Sequence, residues 1–118
     1  MAKLITAEQA RRLKRQWLER EVAQQAGRAF DPKPFLKLFT PDAGGTWLIA
    51  ALSPDGRTGW GACDLGLGFV EIGDVDMAEL ASVRGRLGLP VERDRWFTPS
   101  ATVGDYQRDG ARRGRLIT

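Results

Sequence analysis

The sequence predicts an α+β domain: an antiparallel sheet of about four or five strands flanked by an N-terminal helix and one or two short helices. Three observations carry this. A helical pattern with start and stop signals fills residues 6–27, and an eight-residue run, "TWLIAALS" at residues 46–53, is apolar on both faces. Directly after it, "SPDG" at residues 53–56 supplies proline and glycine at the second and fourth positions of a turn, which sends the following strand back antiparallel.

The first helix opens at Thr6, an N-cap with Gln9 three residues on, and Gly27 offers its stop. At 100° per residue, Ala7, Ala10, Leu13, Trp17, Leu18 and Val22 share one broad arc, while Arg12, Arg15, Gln16, Glu19 and Arg20 occupy the other. The helix is thus expected to pack through Leu13, Trp17 and Leu18 and to turn a basic face outward, with Arg15 and Glu19 paired at i,i+4. Pro32 and Pro34 then deny helix and push their neighbours toward extended backbone.

"FLKLF" at 35–39 reads as a short strand, 46–53 as a central strand covered on both sides, and 58–63 as its hairpin partner. A second reversal at "DLGLG" feeds "FVEIGDV", residues 69–75, to complete a meander. Asp76 as N-cap with Glu79 three residues on begins a short second helix that Gly85 would end. "LPVERDRWF", residues 89–97, resumes a strand whose alternating charge suits a sheet edge. Thr102 caps a final helix over the "TVGDYQRDGARRG" stretch, although Gly104 and Gly110 each weaken it by about 1 kcal/mol relative to alanine. The whole forms a single domain: a basic N-terminal helix and linker over 1–30, a sheet core with its short helix over 31–98, and a C-terminal helix or tail over 99–118.

Composition narrows the chemistry. The 118 residues include no histidine and one cysteine, so neither an imidazole base nor an internal disulfide exists. No apolar run approaches the roughly 20 residues of a membrane span, and the expected setting is cytoplasmic, with no membrane partner. The net charge of +3 is unevenly spread. Residues 1–30 hold seven lysines and arginines, Lys3 among them, against three acids, whereas residues 42–79 hold seven acids against Arg57 alone. Such polarity suits an anionic partner at the basic ends, a cationic partner at the acidic centre, or a homo-oligomer joining the two.

The glycine-rich stretch "GWGACDLGLGFVEIGDVD", residues 59–76, invites a phosphate-binding reading. Gly66 and Gly68 begin a G-x-G-x-x-G pattern, but Glu71 stands where the third glycine belongs and would repel a pyrophosphate; no lysine completes a P-loop either. The structural alternative gives Gly59 and Gly61 to close packing and Gly66 and Gly68 to a turn. Cys63 lacks a base and is expected to be inert. Asp64, Glu71, Asp74 and Asp76 match no calcium-loop spacing, so a small metal-dependent enzyme is only the second alternative.

Three blocks, "KLFTPDAGGTWLIAAL", "GACDLGLGFVEIGDVDMAEL" and "VRGRLGLPVERDRWF", resemble an uncharacterised bacterial family, domain of unknown function 2958, common on plasmids and integrated elements. The likeness covers residues 37–97 and leaves the basic helix outside. It implies the setting of a mobile-element accessory protein and brings no catalytic residues to carry over. The expectation is therefore a non-enzymatic, cofactor-free binding protein, an inhibitor of a host defence or nucleic-acid-processing complex. Asp42, Asp74, Asp76 and Trp60 are the expected protein-interface residues. The alternative is nucleic-acid binding through Arg11, Arg12, Lys14, Arg15 and Arg20.

Overall fold

The structure, a computed structural model, describes residues 4–118, so Lys3, counted above with the basic N-terminal segment, lies outside the described residues. The elements run α1 (Ala7–Gln25), β1 (Leu36–Phe39), β2 (Thr46–Leu52), β3 (Thr58–Asp64), β4 (Glu71–Asp76), α2 (Met77–Ser82), β5 (Glu92–Arg93) and α3 (Val103–Arg113). The strands form one five-stranded antiparallel sheet in the order β4-β3-β2-β1-β5. β1 to β4 make the expected meander, and the chain then returns past α2 to set β5 against β1.

β2 is central and buried along nearly its whole length, because its alternate side chains feed two separate cores. Trp47, Ile49 and Leu52 join Leu13 of α1, Leu36, Leu38 and the α2 residues Met77 and Leu80 on one face. Leu48 and Ala50 join Ala62, Val70 and the α3 residues Val103 and Tyr106 on the other. The β2–β3 turn closes as expected, with the Gly56 N–H donating to the Ser53 carbonyl at 2.8 Å. Between Ile49↔Gly61 and Ala51↔Trp60 the register shifts by one residue, a bulge at Ala50.

α1 starts in a complete capping box: the Gln9 N–H donates to Thr6 Oγ1 and the Thr6 N–H to Gln9 Oε1, both at 3.1 Å. It ends with Gly27 at φ 68°, the Arg28 N–H reaching the Ala23 carbonyl at 2.8 Å and the Gly27 N–H reaching that of Gln24 at 3.2 Å. The packed face differs from the expected arc. Leu13 and Ala23 are buried, while Leu18 and Val22 are 54% and 55% exposed. The reason is Arg20, whose long side chain lies over aromatic rings, so a face that reads as charged can still be laid inward. The expected Arg15–Glu19 ion pair does not form; the Trp17 indole donates to Glu21 instead at 3.1 Å.

Two further elements depart from expectation. α2 stops at Ser82 with Val83 extended, ahead of Gly85. Gly85 serves a different contact, since a Cβ at that position would overlap the Asp42 carboxylate. The strand expected over 89–97 joins the sheet only at Glu92–Arg93, with Pro90 bridging back to Arg84 outside it. Asp94 gives one more bond to the Lys37 carbonyl, then turns the chain by accepting the Trp96 N–H at 2.9 Å.

α3 forms in full despite its glycines. Gly104 passes the Asp31 carboxylate and Gly110 passes Val70 so closely that a Cβ would stand 2.8 Å and 2.5 Å from them. Close packing against the α1–β1 linker and the loop before β4 thus offsets the propensity cost. Thr102 accepts the Asp105 N–H, and Asp31 accepts both the Gly104 N–H and the Thr102 hydroxyl at 2.7 Å.

Candidate functional site

β4 is the outer strand on one side of the sheet, and the residues expected at a protein interface meet only partly along it. Trp60 on β3 stands directly opposite Asp74 on β4, and Asp76 follows two residues on, on the same face. Trp60 is half-buried against the second core, with the Phe30 ring 6.0 Å away and the Arg20 guanidinium 5.1 Å above it. Asp42 is elsewhere. It sits in the β1–β2 loop, at the end of the sheet where Thr46 pairs with Asp64, whereas Asp76 pairs with Thr58 at the other end.

The three carboxylates also differ in what they already hold. Asp42 Oδ2 accepts the Leu87 N–H at 2.6 Å and the Leu89 N–H at 3.4 Å, while its buried Oδ1 has no partner among the described residues. It fastens the 84–90 loop to the sheet. Asp76 caps α2 by accepting the Ala78 and Glu79 N–H groups at 2.9 and 3.1 Å. Asp74 and Glu71, by contrast, are exposed and make no ion pair among the described residues, which leaves both carboxylates open to an outside cation.

Residues that the sequence did not single out as interface complete this surface. Ile72 is 41% exposed on the same strand, and Leu65, Leu67 and Phe69 are exposed in the loop that leads into it. The signal for them was the excess of acid over residues 42–79 combined with apolar residues that no core position claims. Gly66 and Gly68 turn this loop at φ 78° and 94°. Asp64, weighed above for a metal-dependent enzyme, is buried and accepts the Gly66 N–H at 2.8 Å and the Leu116 N–H at 2.9 Å. It joins the loop to the C-terminal tail. Among the described residues no group of three acidic or thiol side chains gathers where a metal could be held.

The basic candidates on α1 are not a free comb. The Arg12 guanidinium lies 3.4 Å from the centre of the Phe35 ring, and Arg20 lies between the Trp17 and Trp60 rings. Arg11 and Arg15 are exposed and Lys14 is half-buried. Arg15 and Arg28 border a shallow groove of about 400 Å³ with Leu18, Val22 and Phe30. Trp96 is 91% exposed on its turn.

Cys63 is half-buried, and burial, reinforced by the charges of Glu71 and Asp64, pushes its thiol up to about 11. Near neutral pH the sulfur is protonated and a poor nucleophile. Iodoacetamide at pH 8 is expected to alkylate it roughly a hundredfold more slowly than free cysteine, with a rate that climbs toward pH 11. Stoichiometric labelling within minutes at pH 8 in the folded protein would contradict that placement.

The family model described as Protein of unknown function (DUF2958) matches residues 4–117, and the chain belongs to that family. The match extends beyond the three resembling blocks to both α1 and α3, so the basic helix is part of the family's domain. No curated protein and no solved structure matches the chain.

Proposed function

With membership of that family as the premise, we propose that the protein is a non-catalytic accessory that binds a basic protein partner through β4. Glu71 and Asp74 carry this reading, since they are exposed, unpaired among the described residues and set beside the exposed Ile72 on the outer strand. Carboxylates in that state reward arginine with charge-assisted hydrogen bonds, and an apolar neighbour adds burial. Trp60 supplies a half-buried ring under the face that Asp74 and Ile72 share, while Glu71, opposite Cys63, projects from the reverse face of the same strand. The partner we favour is a subunit of a host defence or nucleic-acid-processing complex, the mobile-element setting resting on the family resemblance alone. Nucleic-acid binding by α1 draws less support, because Arg12 and Arg20 are laid against rings rather than directed at a phosphate track.

The structure changes which acids to test. Neutralising Asp42 or Asp76 would loosen a loop or a helix, so lost binding would say little. Glu71→Gln with Asp74→Asn spares those anchoring bonds. Captured from the native host with nuclease present, the natural protein is expected to retain a protein partner that the double variant binds about tenfold more weakly. The melting temperature should stay the same. Capture that is unchanged in the double variant, or that nuclease abolishes, would refute the reading.

A further inference from the structure

We propose that β4 receives its partner by strand addition: an extended, arginine- or lysine-bearing segment pairs with the open edge and continues the sheet past β4. The proposal rests on the reading above that this acidic surface binds a basic protein, and it adds the backbone to that recognition. The direction of the backbone groups follows from the pairing. In an antiparallel ladder, facing residues alternate between those that exchange N–H···O bonds and those that do not. The Met77 N–H donates to the Arg57 carbonyl at 2.9 Å, which makes Arg57 and Met77 a bonded pair. Along Gly59↔Val75, Gly61↔Gly73 and Cys63↔Glu71, the same parity turns the backbone of Glu71, Gly73 and Val75 toward β3. The N–H and C=O of Ile72 and Asp74 therefore face the open edge.

Those two residues also present their side chains on one face, the face that holds Trp60 opposite Asp74 and Ala62 opposite Ile72. A residue bonded to the Asp74 backbone has its own side chain beside the Asp74 carboxylate, so an arginine there makes a ladder bond and an ion pair at one position. Its neighbour two along lays an aliphatic stem on Ile72 or meets Asp76. On the reverse face Gly73 has open space, since a Cβ there would meet nothing within 4 Å, and a large side chain of the added strand can lie over it. Strand addition of this kind draws affinity from the main chain and selects through alternate side chains.

Charge identifies the occupant. β4 carries Glu71, Asp74 and Asp76 and no basic residue. A second copy docked edge to edge would bring three such carboxylates from each chain into one short ladder, the device by which sheet edges repel one another. A basic segment meets the opposite condition.

The test uses the intact protein and a capped peptide of about eight residues alternating arginine and valine, followed by fluorescence anisotropy. A second peptide is N-methylated at its arginine nitrogens, which keeps every charge and removes the donors that would face Ile72 and Asp74. The expected result is that methylation weakens binding at least about tenfold and that the first peptide slows amide exchange at Ile72 and Asp74. Ile72→Pro, which deletes one outward donor and retains all three acids, should weaken the first peptide similarly. Should that variant fail to fold, the methylated peptide still decides. Equal binding of both peptides without amide protection would overturn strand addition and leave an acidic docking surface standing. Binding of neither would overturn both, and a concentration-dependent dimer of the natural protein that Ile72→Pro dissolves would assign the edge to a second copy instead.

Discussion

Gly61→Ala is expected to cost about 3 kcal/mol or more, read as a fall in the urea midpoint, or to prevent folding. The added Cβ would overlap the Leu48 carbonyl on β2, just before the Ala50 bulge. A backbone carbonyl in the middle of a five-stranded sheet has no room to retreat, unlike the end of a flexible side chain. Gly73→Ala on β4 is the matched control, because nothing lies within 4 Å of its Cβ and its φ is ordinary. It should be neutral or slightly stabilising, by a few tenths of a kcal/mol, since alanine gives up less chain entropy than glycine. Equal midpoints for the two variants would mean that β2 and β3 are not packed as described.

Leu13→Ala should be nearly as damaging, at about 2–5 kcal/mol. Leu13 is the one large side chain that α1 buries completely, in the core with Leu36, Leu38 and Ile49, and only the small Ala23 is buried beside it on the helix. Removing it leaves α1 held by half-buried contacts, so amide exchange along 10–23 should quicken more than in the sheet. Leu18→Ala provides the contrast, with an expected cost under about 1 kcal/mol because more than half of that side chain faces water. If Leu18→Ala proved the more destabilising of the two, the helix would be rotated from the orientation found.

That rotation marks where the sequence stops being readable. Signals that act within four residues were legible: the Thr6–Gln9 box, the turn at 53–56, Asp76 over Ala78 and Glu79, and Thr102 over Asp105. Each is a local donor meeting a local acceptor. The face of α1 was not, because it depends on an arginine stacking on Trp60, a residue forty positions away in another element. Gly104 and Gly110 counted against α3 until the Asp31 carboxylate and Val70 gave their missing side chains a use. Gly85 looked like a helix stop and is instead a gap for Asp42.

The candidate site divides in the same way. Acidity over residues 42–79 was visible, and so was Asp76 as a cap. Which acids stay open to a partner was not. Asp42 is taken by amides at positions 87 and 89, a bond across 45 residues or more, whereas Glu71 and Asp74 become prominent only because β5 joins β1 and leaves β4 outermost. Strand order is decided by the whole chain, so no window of sequence around Glu71 could announce it.

The two borders of the sheet are unequal, and this bears on stoichiometry. On the far side β5 contributes only Glu92 and Arg93 before Asp94 folds the chain away, so that border is too short to template another strand, while β4 runs for six residues. If strand addition at β4 holds, one added strand would cap that border, and among the described residues the two-residue β5 offers no matching ladder from which a fibre could continue.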